Sequence, residues 1–397
     1  MGRKNTQTEL NKDRAIGCLI GGAVGDALGY TVEFEQWPYI RNMYGDRGIT
    51  RYDLYPHGKA LISDDTQMTL FTASGILLGM TRLYTRGVSG RIDQYCWHTY
   101  VDWLHTQEWT HRHSKDYGTS WLMDVPELYA RRAPGNTCLS ALKVIKEGGI
   151  PDNNSCGCGG VMRTAPLAIL DYIHGYQDAE YCFCDMVAAE AARITHKHPL
   201  GFLPSAVLND VLMQIFDCDE VRPGALADYI MTALDRLPSI SSQDDRGKTY
   251  GELWPKEVAV LQGIIREAMS LVTSDYPDHE AIERIGGGWT GHEALAIAIY
   301  SAVKYNESFE DAVICAVNHS GDSDSTGAIC GNIMGALLGR KAIPDYYVKD
   351  LELSDIIEEI ATDLYTGCII SEFYEKSTLE QRRWYDKYCE HRMPETR

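Results

Sequence analysis

Apolar residues recur along this chain at spacings of three and four, the period of a helix with one buried face. The pattern predicts helices over Ala15–Gly29, Thr66–Met80, Asp185–Ile194, Pro204–Phe216, Glu257–Val272, His292–Val303, Phe309–His319 and Ile356–Tyr365. Alternating β-branched runs bounded by turns are nearly absent. The expected fold class is therefore all-α, a compact orthogonal bundle with functional loops between helices. Stretches rich in Gly, Pro, Asp, Asn or aromatic residues read as those loops: Glu35–Ile62, Thr106–Thr119, Pro151–Gly160, Ser239–Gly251 and Gly286–Gly291. No low-complexity linker divides the chain. A single domain over residues 1–397 is expected, with its core at about 14–370, a C-terminal extension at about 371–397, and residues 217–253 at the periphery.

Two of these helices share an anomaly. "GCLIGGAVGDALG" places glycine at 17, 21, 25 and 29, and "STGAICGNIMGALLG" places it at 327, 331, 335 and 339. A glycine inside a helix costs roughly 1 kcal/mol relative to alanine. Residues four apart share a helix face, so each helix carries a stripe without side chains. Close approach of the two stripes would compensate, and would bring their attached loops together. Two tightly packed helices with unrelated partners is the competing reading.

The acidic residues change the picture next. Ser63-Asp64-Asp65-Thr66 precedes one apolar helix, and Asp322-Ser323-Asp324-Ser325-Thr326 precedes the second glycine helix. Asp, Ser and Thr are ordinary N-caps, and acids suit a helix N-terminus. A pair of acids at each junction exceeds what a cap uses, because mutual repulsion opposes ionisation. A hard divalent cation relieves that repulsion, and carboxylate and hydroxyl oxygens suit Mg²⁺, Mn²⁺ or Ca²⁺ rather than Zn²⁺. If the junctions meet, four carboxylates can hold two ions side by side. "DSDSTG" imitates the start of a calcium EF-hand, but the twelfth position is Ile333 where that loop needs a bidentate Glu.

Composition narrows the partners. Acidic residues outnumber basic ones 56 to 37, for a net charge of −19. Such a chain is not steered toward nucleic acid or an anionic membrane. A phosphate compound would be held by backbone N–H groups or a metal. No run of about 18 apolar residues free of charge appears. The start "MGRKNTQTELNKDRA" lacks the apolar core of a secretion signal, and none of the 12 cysteines forms a Cys-x-x-Cys pair. A reduced, cytoplasmic protein with free thiols is expected. Gly247-Lys248-Thr249 is not a P-loop, "CGCGG" is not a dinucleotide fingerprint, and Cys156, Cys158, His196 and His198 fit no standard zinc spacing.

"GGAVGDALGYTVEF", "SDDTQMTL", "GCGGVMR", "THKHPLG" and "SGDSDSTGAICG" occur in this order over about Ile16–Gly339. Together they resemble the ADP-ribosylglycohydrolase (ADP-ribosylhydrolase) family, all-α enzymes with two metals. "RAPGN" at Arg132–Asn136, "THKHPLGFL", "WTGHEA" and "GDSDST" look like the branch that acts on ADP-ribosylarginine. One departure is Ser320 where the family pattern has the first of two glycines. The resemblance implies two Mg²⁺, with Mn²⁺ a substitute, held by Ser63, Asp64, Asp65, Asp322, Asp324 and Ser325. It implies catalytic roles for Glu33, Asp64, Asp65 and Asp324, with Glu33 preferred over Glu35 on spacing from Gly29. It assigns substrate contacts to Gly135, Asn136, Gly157, Cys158, Gly159, Gly160, Met162 and His196, with the Gly157–Gly160 loop donating N–H groups to a diphosphate. The implied partners are an ADP-ribosylated protein and ADP-ribose. Hydrolysis of another ADP-ribosyl linkage (serine, O-acetyl-ADP-ribose), two-metal phosphoryl chemistry, and an immunity protein facing an ADP-ribosylating toxin are the alternatives. The segment Trp103–Gly118 reads as a target-facing or wet surface loop, and the tail beyond Ser371 as a docking or assembly element.

Overall fold

The glycine stripes set the architecture. In the computed structural model, which describes residues 2–55, 58–87, 90–108, 118–173, 181–218, 222, 224–245, 247–370 and 378–389, the stripes lie on helices Gly2–Tyr30 and Ser323–Leu338. The two helices run antiparallel and touch backbone to backbone. A Cβ on Gly17 would stand 2.2 Å from the Gly335 carbonyl oxygen, one on Gly21 2.3 Å from that of Gly331, and one on Gly25 1.9 Å from that of Gly327. The register continues to Ser323, whose carbonyl oxygen lies 2.1 Å from a Cβ on Gly29. Gly339 departs from the pattern: it leaves the helix at φ +82°, and faces Asp13 instead. The Asn332 side chain adds a pin, donating to the Cys18 carbonyl at 2.8 Å. No residue with a Cβ fits along this seam without parting the helices.

The remaining helices pack around this pair. Every helix predicted from periodicity is present, several of them longer: Asp64–Arg86, Tyr181–Arg193, Pro199–Asp217, Pro255–Leu271, Gly291–Lys304, Phe309–Val317 and Ser354–Thr366. Among the described residues there are no sheets, only isolated bridges such as Gly157 with Thr290. The apolar interior is continuous from Ala15 to Cys389. One helix, Pro199–Asp217, is long and apolar enough to cross a membrane by composition, and 83% of that stretch is buried inside the protein.

Several segments differ from the sequence expectation. The Glu35–Ile62 loop contains a helix at Trp37–Tyr44, started by Pro38 and stopped by Gly45 at φ +89°. Trp103 is no surface residue: it ends up buried in helix Ile92–Glu108, its indole N–H donating to the Gln67 side chain at 3.0 Å. Residues 104–108 complete the same helix, and 109–117 of the expected loop lie outside the described residues. Within 217–253, helix Ala225–Arg236 buries Leu226, Ile230 and Leu234 in the common interior, so this segment is packed in rather than peripheral. Of the C-terminal tail, helix Leu379–Tyr388 is docked. It has a Thr378/Gln381 capping box, and the Trp384 indole donates to Thr81 at 2.9 Å.

Candidate active site

Because the glycine helices are antiparallel, the end of the first lies beside the start of the second. The chain leaves Tyr30 into a short turn that carries Glu33 and Phe34 next to Asp322 and Asp324. The other acidic junction is held to the same place by Asp26. Its buried carboxylate accepts the Ser63 amide at 3.0 and 3.1 Å, the Thr66 amide at 3.0 Å, and the Thr66 hydroxyl. The two acidic junctions therefore converge, as the glycine spacing implied.

Each junction is also capped. Ser63 accepts from the Asp65 amide at 3.2 Å, and the Ser325 amide donates to Asp322 Oδ1 at 3.3 Å and Asp324 Oδ1 at 3.0 Å. Asp64 takes one bond from the Gly135 amide at 3.3 Å, while its own amide donates to the Arg132 carbonyl at 3.1 Å. Arg132 is in turn held by Glu352 at 3.2 Å. Capping uses only part of this acidity. Asp65 Oδ2 and Glu33 Oε2 are buried with no partner among the described residues.

The electrostatics are one-sided. Burial, and then the Asp324 charge, push the carboxyls of Asp64 and Asp65 far above the ordinary range. Burial followed by Asp324, Asp322 and Asp64 does the same to Glu33. Asp324 is raised by burial and by Asp322. No lysine or arginine appears among the leading influences on these four acids. Such a cluster is unfavourable unless protonated or met by a cation. Among the described residues no three His, Cys, Asp or Glu side chains already close into a ligand set. The case for a cation rests instead on uncompensated charge, orphaned oxygens and a hard donor set, and on these the residues fit Mg²⁺ or Mn²⁺.

These acids open into a pocket of about 330 Å³. Its walls include Glu33, Asp64, Asp65, Asp322, Asp324 and Ser325, and also Gly135, Asn136, Gly157, Cys158, Gly159, Met162 and His196. Glu35 is not among them. Ser63 is buried behind the wall, where its hydroxyl reaches Asp324. Gly160 does not face the pocket either. A Cβ there would stand 2.3 Å from the Gly201 carbonyl oxygen, so this glycine lets the loop pack on helix Pro199–Asp217. The loop's amides are partly committed: Gly157 N–H goes to Ser155 Oγ at 3.3 Å and Cys158 N–H to the Trp289 carbonyl at 3.2 Å. The Cys158 thiol donates to Asp322 Oδ2 at 2.9 Å. The loop turns into a 3₁₀ helix at Cys158–Arg163, whose first amides have no acceptor within the helix. His196 is buried and neutral, its basicity lowered to about 3 by burial and by Arg163, with Nδ1 2.9 Å from the Thr195 hydroxyl.

Sequence reasoning assigned no role to five contributors: Asp26, Phe34, Arg132, its partner Glu352, and Trp289. Asp26 was detectable as the one charged residue in the glycine-striped stretch Gly17–Gly29. Ser320, the departure from the family pattern, has a structural use. Its hydroxyl accepts the Trp37 amide at 2.9 Å, starting helix Trp37–Tyr44. A larger cleft of about 760 Å³ lies between that helix and Pro277–Glu280. Its arginines are already paired, Arg41 with Asp46 and Arg47 with Asp311, so it lacks the unbalanced charge of the acidic pocket.

An all-helical protein with an acidic pocket at two converging helix starts, beside a glycine loop, is the class that fold and site define. The chain belongs to the ADP-ribosylglycohydrolase family, whose profile matches residues 7–372. That family is one of hydrolases acting on ADP-ribosylated substrates. The chain is 24% identical to the ADP-ribosylhydrolase ARH1 of Dictyostelium discoideum, over 91% of this chain and 97% of that one. It is 26% identical to the ADP-ribosyl-[dinitrogen reductase] glycohydrolase of Rhodospirillum rubrum, over 86% and 91%. It is 24% identical to the ADP-ribosylarginine hydrolase Tri1 of Serratia proteamaculans (strain 568), over 89% and 79%. A solved structure titled "ADP-ribosylglycohydrolase-related protein complex" shares the fold, with a TM-score of 0.59 at 22% identity, covering 90% of this chain and 99% of that one.

Proposed function

We propose that this chain hydrolyses the N-glycosidic bond of ADP-ribosylated arginine on proteins, releasing ADP-ribose and restoring the side chain, in the cytoplasm and with two Mg²⁺. The observation that carries the reading is the meeting of Glu33, Asp64, Asp65, Asp322 and Asp324 around one pocket whose described lining includes no lysine or arginine. Asp64, Asp65, Asp322 and Asp324, with the Ser63 and Ser325 hydroxyls, would hold the ions. When bound, these would orient the ribose hydroxyls and a water and make that water more acidic.

The chain's own groups supply the rest. Once cations neutralise the cluster and Asp65 is ionised, its unpartnered oxygen would be able to take the proton of the attacking water. Glu33, whose carboxyl is raised first by burial and then by Asp324 and Asp322, would be the group that hands a proton to the departing guanidine nitrogen. Arginine's high basicity favours that departure. With the Cys158 amide held by the Trp289 carbonyl, Gly159 at the start of the Cys158–Arg163 turn lines the pocket and would offer its backbone to a diphosphate, and neutral His196 offers a packing surface without adding charge.

The test is direct. A protein carrying labelled ADP-ribose on arginine, and another modified on serine, are incubated with the chain with and without Mg²⁺, beside Asp64→Asn and Asp322→Asn. Metal-dependent release of intact ADP-ribose from arginine alone, abolished in both variants, supports the reading. AMP as the product would instead indicate phosphoryl chemistry. Release from serine would move the assignment to another linkage. Mg²⁺ binding without release from either substrate would favour an occluding, immunity-type role.

A further inference from the structure

Two aromatic side chains at the pocket mouth have no structural reason to be where they are. Phe34 is 62% exposed and Trp289 44% exposed, and both line the acidic pocket. Their rings stack on each other with centroids 5.3 Å apart and planes 24° from parallel. Phe34 holds this position at φ +69°, left-handed backbone that a bulky residue adopts only at a cost. Its amide reaches the Gly321 carbonyl at 3.4 Å, tying it to the turn before Asp322.

Trp289 is anchored with equal care. It follows Gly286 and Gly288, both at positive φ, and its carbonyl accepts the Cys158 amide. The Gly287 carbonyl accepts the Asp322 amide at 2.9 Å, and a Cβ on Gly321 would stand 2.0 Å from that same oxygen. Three loops are thus fastened together so that two rings meet in water beside Glu33, Asp322 and Asp324. Burial explains neither ring, and strained, exposed placement is a mark of function.

We infer that the Phe34–Trp289 ring pair is the platform on which the guanidinium of a modified arginine lies, and that it sets the preference for that linkage. This rests on the reading of the pocket as an ADP-ribosylarginine site. Ring faces are negative, and indole is the strongest cation acceptor of the aromatic side chains. A planar guanidinium also stacks, which a compact ammonium cannot. The carboxylates behind the rings add a field that draws in a cation. A neutral serine linkage gains from neither effect. Phe34 adjoins Glu33, which the function above places at the bond being cut, so the rings stand on the target's side of that bond.

The experiment measures affinity for free ADP-ribosylarginine and for ADP-ribose by calorimetry in EDTA, and kcat/KM for ADP-ribosylarginine in Mg²⁺. The variants are Trp289→Ala, Trp289→Phe, Phe34→Leu and Phe34→Gly. Glycine accepts φ +69° freely, so that variant removes the ring without disturbing the turn. The parent chain should bind the conjugate more tightly than ADP-ribose. Trp289→Ala and Phe34→Gly should lower affinity and kcat/KM for the conjugate about 5- to 30-fold. ADP-ribose affinity should stay within about twofold, and Trp289→Phe should recover most of the loss. Equal weakening for both ligands would overturn the inference and assign the rings to the nucleotide. Unchanged binding of both would overturn it as well. A parent chain that prefers the conjugate but never cleaves it would refute the hydrolase reading while leaving the platform intact.

Discussion

Replacing Gly25 by alanine tests the link between the glycine seam and the acidic pocket. Two effects oppose each other. Alanine is better than glycine inside a helix by roughly 0.5–1 kcal/mol. Here, however, the new methyl would stand 1.9 Å from the Gly327 carbonyl oxygen, where ordinary contact begins at 3.4 Å. Backbone faces backbone, so no side chain can swing away, and the helices must part by about 1.5 Å. Overpacking of this kind typically costs 1–3 kcal/mol. The net expectation is a loss of about 1–2 kcal/mol, which for a chain of this size is a fall of about 1–2 °C in melting temperature.

The effect on function should be larger, because the neighbours of the seam are Asp26 on one helix and Asp322 and Asp324 on the other. A displacement near 1 Å in a reacting constellation can cost about a hundredfold in rate. Gly263→Ala is the control. That residue sits in helix Pro255–Leu271 with nothing within 4 Å of a Cβ, so alanine should stabilise by about 0.5–1 kcal/mol and leave activity alone. Scanning calorimetry and the ADP-ribose release assay read both variants. A Gly25→Ala chain that melts with the control and keeps its activity would refute the argument that close approach of these stripes positions the site.

Other consequences are equally open to measurement. Asp26 is pushed up to about 7 by burial and then by Asp324. A raised carboxyl favours the folded state below the unfolded value near 4, and that contribution is lost as pH rises toward 7. The metal-free chain should therefore melt lower at pH 7.5 than at pH 5, and saturating Mg²⁺ should raise the melting temperature more at pH 7.5, where protons no longer compete for the carboxylates. Asp26→Asn turns an amide NH₂ toward donors at Ser63 or Thr66. It should cost about 2 kcal/mol by urea titration and weaken Mg²⁺ binding, although Asp26 is no ligand. Gly160→Ala forces a methyl against the Gly201 carbonyl. It should lower both melting temperature and ADP-ribose affinity, the second by tenfold or more in calorimetry.

How much of this was legible in the sequence follows from which interactions are local. Helix period and the four-residue glycine spacing are local patterns, and they pointed to the fold and to the convergence of the acidic junctions. Helix Ile92–Glu108 was missed because its buried face is built from Tyr95, Cys96, Tyr100 and Trp103 interleaved with buried Thr99 and Asp102, which blurs the apolar period. The motif "GCGG" was visible, but the division of labour within it was not. Gly160 packs against a residue 41 positions away, and two of the loop amides are satisfied by partners outside the motif. Phe34 and Trp289 escaped notice because neither a positive φ at a phenylalanine nor a ring contact across 255 residues leaves a trace in composition.

The seam between the two glycine helices also fixes the order in which this protein can mature. The Asn332–Cys18 bond that pins it joins residues 314 positions apart. A chain emerging from the ribosome at about 5–20 residues per second exposes its first glycine helix roughly 15–60 s before the second is made. During that interval the side-chain-free face has nothing to close on, and Glu33 and Asp64 lack Asp322 and Asp324. Contacts of such high sequence separation form slowly because their loop must close before they contribute. The acidic pocket is therefore completed only when the second glycine helix joins, and premature termination anywhere before Asp322 yields a chain with at most Glu33, Asp64 and Asp65 of the acidic cluster and an unpaired helix.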